Sequence, residues 1–293
     1  MVAALPPNIQ LKLEQTLSQW QHWRCEIALP YRPKLVSRFD SGLSNYSLLV
    51  EAQQQFVVRI DGTQSILNGL SRTAEWTVLL AAHKAGLAPC PRYFNPDLGS
   101  LVCDFLPQEA SSHDNISTTA ALLRRIHQLP TVHHRLDLHA KIIHYERQVK
   151  QRSSDQTQII SAAHEGILRL TATLAKNNEA PVLCHNDLLA ANRIYSGGAM
   201  KAIDWEYCAM GSAWFDLAVV AIGDELNNTQ KSELLSAYLC HPADQCQIAN
   251  FEQNCIAYQY LELLWYLANR PDAGCVSKKL ASLQTVLSGS GYL

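Results

Sequence analysis

Asp187, Asn192 and Asp204 are the residues whose types and spacing point most directly to chemistry. They lie in Val182-Leu-Cys-His-Asn-Asp-Leu-Leu-Ala-Ala-Asn-Arg-Ile-Tyr195 and Ala199-Met-Lys-Ala-Ile-Asp-Trp-Glu-Tyr207. Each follows or ends a short apolar segment of β type, where a rigid scaffold presents side chains to a ligand. A carboxylate that takes the proton of a hydroxyl while aiming its oxygen, together with hard oxygen donors for a divalent cation, is the set that in-line phosphoryl transfer needs. Asp187 is the candidate proton acceptor, and Asn192 and Asp204 are the candidate metal ligands, with Glu206 a further one. Taken singly, an Asp before Leu-Leu is more often a cap or turn residue; the spacing of the whole set reverses that reading.

The run His185-Asn-Asp187-Leu-x-x-x-Asn192 matches the catalytic-loop signature H-R-D-L-x-x-x-N at every fixed position but the Arg, and Asp204-Trp-Glu206 falls where D-F-G would stand. His185 reads as a structural loop residue, since the motif already contains its proton acceptor. Upstream, Phe56-Val-Val-Arg59 matches the strand motif V-A-I-K with Arg in place of Lys. A guanidinium bridges phosphate oxygens and stays charged at any working pH. Glu75, in the helix pattern that follows, is spaced to pair with Arg59. The turn Ser41-Gly-Leu-Ser-Asn-Tyr-Ser47 would offer backbone N–H groups and the side chains of Ser41, Ser44 and Asn45, beside Gly42, to a triphosphate. It lacks the glycines of G-x-G-x-x-G, and an ordinary polar hairpin reads the same way. No G-x-x-x-x-G-K-[ST] occurs.

The elements that must position these residues are legible from periodicity. After a short amphipathic helix around residues 9–17, apolar runs at 35–39, 47–51 and 55–60 predict an antiparallel meander. A helix is expected over about 70–85, stopped by Gly86 and Pro89, with strands near 92–94 and 100–105. Leu106-Pro-Gln-Glu109 reads as a hinge. Beyond it helices are expected at 116–128, 138–151, 156–176, 231–239 and 245–269, interrupted by the β-rich insert 181–205. The expected class is α+β, with an N-lobe over 1–106 and a mainly helical C-lobe over 107–293.

Composition sets the outer limits. The 293 residues are 47% hydrophobic and 17% charged, which excludes general disorder. With 24 Lys+Arg against 26 Asp+Glu, the chain has no electrostatic excess for nucleic acid or an anionic membrane. The sequence has no basic-then-apolar leader at Met1 and no long uncharged apolar stretch, so a cytoplasmic location and no membrane partner are expected. Nine cysteines are scattered without a C-x-x-C pair, and several sit in apolar runs, as small buried hydrophobes do. With no Cys or carboxylate at tetrahedral-site spacing, the histidines 133, 134, 139 and 144 read as solvated helix and loop residues.

Arg59, Glu75, the 185–192 loop, and Ile203-Asp-Trp-Glu-Tyr-Cys-Ala-Met-Gly211 with Phe215-Asp-Leu-Ala218 resemble the aminoglycoside phosphotransferase and choline/ethanolamine kinase superfamily. The likeness runs over roughly 35–270. Cys184 to Leu189 looks like choline and ethanolamine kinases, whereas Phe39-Asp-Ser-Gly-Leu-Ser44 and Phe56 to Arg59 look like bacterial thiamine kinases. Leu122-Leu-Arg-Arg-Ile-His127-Gln-Leu-Pro130 is similar to a helix end of the superfamily, which gives His127 a structural account. The resemblance implies a protein-kinase-like bilobal fold, ATP and Mg as cofactors, and a small hydroxylated acceptor. It places Asp104, Phe105 and Leu106 beside adenine, and makes Asp216 a brace for the catalytic loop. Ala191 departs from the pattern, where Gly commonly precedes the metal-binding Asn.

In the late helix Ala257 to Arg270, Tyr258, Glu262, Trp265 and Tyr266 recur at helical spacing and share a face. Aromatic rings with a carboxylate suit a cationic headgroup, and choline kinases build such a site in a similar helix. The same stripe equally describes an amphipathic helix whose rings fill a core. The expected activity is phosphorylation of a small cationic alcohol, choline or ethanolamine ahead of thiamine. An aminoglycoside acceptor ranks lower, and a nucleotide-binding pseudokinase is the alternative from another class. The oligomeric state is left open.

Overall fold

The structure, a computed structural model, describes residues 5–39, 45–62, 70–109, 115–152, 154–176, 179–269 and 273–290. Ser41, Gly42 and Ser44 therefore lie outside the described residues. Strands β1 (Lys34–Arg38), β2 (Asn45–Glu51), β3 (Gln55–Asp61), β4 (Pro91–Asn95) and β5 (Ser100–Asp104) form one antiparallel sheet in the order β1-β2-β3-β5-β4. The three-stranded meander is present where the apolar runs put it. On β3 the two-residue period sends Phe56, Val58 and Ile60 into a core shared with Ile9, Leu13 and Leu17 of helix α1 (Pro7–Ser18) and with Trp23. Arg59 and Asp61 therefore project from the other face, where they meet the first turn of α2 (Arg72–Lys84). Ser71 caps that helix by accepting the Ala74 N–H, and Gly86, at φ 75, follows its end.

The remaining helices are α3 (Ile116–His127), α4 (Leu138–Arg152), α5 (Ser154–Leu174), α6 (Ala213–Gly223), α7 (Asn228–Leu239), α8 (Gln245–Asn269) and α9 (Ala273–Ser290). Helix α8 packs against α4, α5, α6 and α9 around a core that includes Ile142, Tyr145, Ile160, Tyr260 and Leu264. Two of these helices were not expected from periodicity, α6 and α9. Helix α6 is apolar on every side except at Asp216, with Trp214 to Ala221 all buried, so it carries no amphipathic signal. The β-rich insert consists of β6 (Val182–Cys184), paired with β9 (Ala209–Gly211), and a hairpin of β7 (Arg193–Ser196) with β8 (Ala199–Ala202). Gly197 and Gly198 turn the hairpin at φ 62 and 71, a left-handed conformation that favours glycine.

The chain divides into two compact units. One joins residues 1–114 with 192–208, and the other joins 115–191 with 209–293. Among the described residues no helix is long and apolar enough to cross a membrane.

Candidate active site

In the first unit, Arg59 and Glu75 form a buried ion pair: Nη2 of Arg59 donates to Oε2 of Glu75 at 2.7 Å, and Nη1 donates to Oε1. Nη1 also reaches Oδ1 of Asp204 at 3.2 Å. A second guanidinium, Arg72, which the motif reading missed, holds the rest together. It donates from Nε to Asp61 at 2.9 Å, and from Nη1 to Glu75 at 2.9 Å and to Glu206 at 3.0 Å. Its sequence signal is a broken local rule: a cation in the first turn opposes the helix dipole, so its reason must be tertiary.

Glu206 also accepts from Nδ2 of Asn45 at 2.6 Å, and Arg72 approaches the Asn45 amide oxygen. The side chains of Asn45 and Glu206, read from sequence as phosphate and metal contacts, are thus engaged within this cluster. Asp204 sits at φ 60, a left-handed backbone that Asp tolerates better than most residues. Burial, and then the charge of Glu206, push the Asp204 carboxyl above its ordinary range. Glu75 is held below its own, because the two guanidiniums outweigh the burial that would raise it. Asp61, Glu75, Asp204 and Glu206 against Arg59 and Arg72 leave two carboxylates in excess.

Replacing Arg72 by Met would leave Glu206 and Asp61 buried without their main cation. We expect a loss of about 3 kcal/mol or more in urea unfolding, the scale for breaking a buried ion pair. A loss under about 1 kcal/mol, the value of an exposed pair, would show the cluster to be solvated.

The side chain of Asp104 is bound in bidentate fashion by Arg92 of β4, each contact at 2.7 Å. Its backbone N–H donates to Cys90 and that of Phe105 to Gln55, so around Leu106 any contact with a base falls to the remaining backbone groups.

The second unit holds the catalytic-loop motif. His185 is fully buried, and its backbone N–H donates to Oδ2 of Asp216 at 2.8 Å; the Asn186 N–H donates to Oδ1 at 2.7 Å. Asn186 replaces the signature Arg and lies at φ 62, which Asn adopts more readily than Arg does. Nε2 of His127 donates to the same carboxylate at 3.1 Å, and Nδ1 lies 2.8 Å from the Tyr238 hydroxyl. Burial alone would raise the Asp216 carboxyl, but His127 and the loop donors hold it below its usual range. His127, Cys184 and Asp216 are the one trio of metal-ligand types drawn together among the described residues. His127 and Asp216 are committed to each other, to Tyr238 and to the loop, and the Cys184 thiol donates to the carbonyls of Val182 and Ser212, which describes a brace. Asp187 itself follows immediately, and Asn192 ends a short 3-10 turn at Ala190–Asn192. Ala191 does not have positive φ, so the absent glycine costs nothing there.

On α8, Tyr258 is buried and meets Phe215 edge to face with centroids 5.9 Å apart. Burial raises its hydroxyl pKa further than any charge does, followed by the carboxylates of Glu262, Asp187 and Asp224. The Tyr258 hydroxyl and the side chain of Leu189 both border Gly223, which puts the late helix next to the catalytic-loop segment. Trp265 packs partly against the helical core and partly against Tyr266, with ring centroids at 5.3 Å. The rings of the stripe thus take part in packing, one of the two roles that its spacing allowed. Asp224, at the end of α6, was not visible as a member of this group from sequence.

The profile of the phosphotransferase enzyme family, APH, matches residues 36–247. The chain is 32% identical over 213 residues to a thiamine kinase of Escherichia coli O81, covering 69% of this chain and 70% of that one. Its fold is similar to that of the choline kinase LicA from Streptococcus pneumoniae, with TM-score 0.73, 18% identity, and coverage of 96% and 99% of the two chains. It is also similar to that of APH(2")-IIa in a ternary complex with streptomycin and ATP, with TM-score 0.60, 16% identity and 97% coverage of both chains. With catalytic-loop and strand motifs on a protein-kinase-like α+β fold, the chain belongs to the phosphotransferase enzyme family and is a small-molecule kinase.

Proposed function

We propose that this kinase uses ATP and Mg²⁺ to phosphorylate the hydroxyl of a small cationic alcohol. The observation that supports the acceptor class is an aromatic and acidic surrounding next to the loop: Tyr258 packs edge to face on Phe215, its hydroxyl and the Leu189 side chain both border Gly223, and Asp224 accepts from the Ala190 N–H at 3.0 Å. Thiamine, choline and ethanolamine all have a positive nitrogen and a primary hydroxyl. The 32% identity to a thiamine kinase supports testing thiamine first among them.

In this reading residues 1–106 bind the nucleotide and 107–293 supply the catalytic loop and acceptor site. Arg59, fixed in direction by Glu75, holds phosphate oxygens together with the Ser41 to Asn45 turn. Asn192 and Asp204 offer hard oxygen donors, and the two carboxylates in excess around Arg59 and Arg72 fit a divalent cation. When bound, Mg²⁺ supplies neutralisation of charge on the phosphates. Asp187 orients the acceptor oxygen toward the γ-phosphorus and takes its proton as the new O–P bond forms and ADP leaves.

An ADP-release assay over thiamine, choline, ethanolamine, kanamycin and the uncharged methylthioribose tests the reading. We expect turnover with at least one small cationic alcohol. Turnover with methylthioribose alone would overturn the acceptor class. Tight Mg·ATP binding with silence across the panel would favour a pseudokinase.

A further inference from the structure

An ammonium group is already seated at the aromatic and acidic face of α8. Nζ of Lys279, on α9, lies 2.6 Å from Oε1 of Glu262 and 4.8 Å from the centroid of the Tyr266 ring. A carboxylate at hydrogen-bond distance and an aromatic face under the charge are the two interactions that recognise a protonated or quaternary nitrogen. The pair is largely withdrawn from water, with side-chain exposures of 24% for Lys279 and 15% for Glu262. The neighbouring pair of Lys278 with Glu225 is 72% exposed on both sides. An exposed pair of that kind contributes little; a shielded one resists any ligand that must part it. Glu262 lies one turn beyond Tyr258 on α8, and the Tyr258 hydroxyl and the side chain of Leu189 both border Gly223, so the seat of the ammonium is on the helix that meets the catalytic loop.

We propose that Lys279 is a tethered occupant of the acceptor's cation subsite, displaced by the positive nitrogen of the substrate, and so sets both affinity and charge selectivity. The inference rests on the reading of a cationic acceptor bound on α8. Binding then exchanges one cation for another on Glu262, which makes it weak and nearly indifferent to salt. Without Lys279, Glu262 stands partly desolvated and unpaired, and a cationic ligand gains the whole attraction. A neutral alcohol gains nothing.

Lys279→Met keeps the length and apolar stem of the side chain, and Lys279→Gln is a second variant without the charge. Calorimetric titration with tetramethylammonium chloride, at two salt concentrations, reads the subsite without turnover. We expect the dissociation constant to fall about tenfold in both variants, within the range of cation–π and carboxylate recognition, and to become salt-dependent. Lys279→Arg should stay near the wild type. In steady state the change should fall on the KM of the cationic alcohol, with kcat and the KM of ATP within about twofold of the wild type.

Unchanged or weaker binding in folded Lys279→Met and Lys279→Gln, with Glu262→Gln still raising the KM of the cationic alcohol, would overturn the role of Lys279 and leave the acceptor reading standing. Indifference of tetramethylammonium binding and acceptor KM to Glu262→Gln as well would overturn both.

Discussion

Asp187→Ala is expected to lower kcat by about three orders of magnitude or more, within or beyond the usual contribution of a positioned general base, while Mg·ATP binding stays within about twofold. The split follows from where the residue stands. Asp187 lies in the unit of residues 115–191 and 209–293, whereas Arg59, Glu75 and Asp204, the proposed nucleotide and metal contacts, lie in the other. Removing the carboxylate deletes the acceptor of the hydroxyl proton and leaves the phosphate-binding charges untouched. Calorimetry with a non-hydrolysable ATP analogue and single-turnover kinetics together check it. Retained turnover would remove Asp187 from the chemistry, and lost ATP binding would make it a structural residue.

The second large effect is expected at Asp216. Asp216→Asn puts an amide where one carboxylate now accepts from the His185 N–H, the Asn186 N–H and His127. At least one buried donor then faces another donor. We expect a stability loss of about 3 kcal/mol, the scale for stripping a buried charge of its partners. A fall in kcat of about two orders of magnitude should accompany it, as the loop that carries Asp187 loses its brace.

The pH dependence has a definite sign. The folded-state carboxyl is held below its ordinary value, so its stabilisation is complete above the unfolded value, about 3.9, and is lost as pH falls through the lower folded one. The wild type should therefore lose stability on acidification more steeply than Asp216→Asn between about pH 5 and 2. Urea unfolding across that range measures the difference. Parallel curves would mean that Asp216 is not ionised against these donors.

Much of this arrangement was legible in the sequence because it is local. The run Phe56-Val-Val-Arg59 marked the arginine that pairs with Glu75, and the 185–192 spacing marked one loop. What escaped notice depends on distant partners. Arg72 reads as a surface helix residue until Asp61 and Glu206 converge on it. Asp224 follows a helix with no polar stripe to orient it, and Lys279 sits in a helix whose Gly274 and serines gave no periodic signal. Asn45 was legible as a polar turn residue, but its commitment to Glu206 was not, because a contact across 161 positions has no sequence signature.

The discontinuity of the first unit also bears on how the chain acquires its shape. Synthesis delivers residues 1–114 first, then all of 115–191, and only afterwards the segment 192–208 that completes the unit. Until then Arg59 and Arg72 have Asp61 and Glu75 for company, two positive against two negative, a balanced set that is able to bury itself early. The late segment imports Asp204 and Glu206 and tips that balance. Closing the unit thus requires a long-range loop, which slows folding, together with the acceptance of uncompensated charge. The order of translation leaves completion of the first unit to the segment proposed to hold the metal.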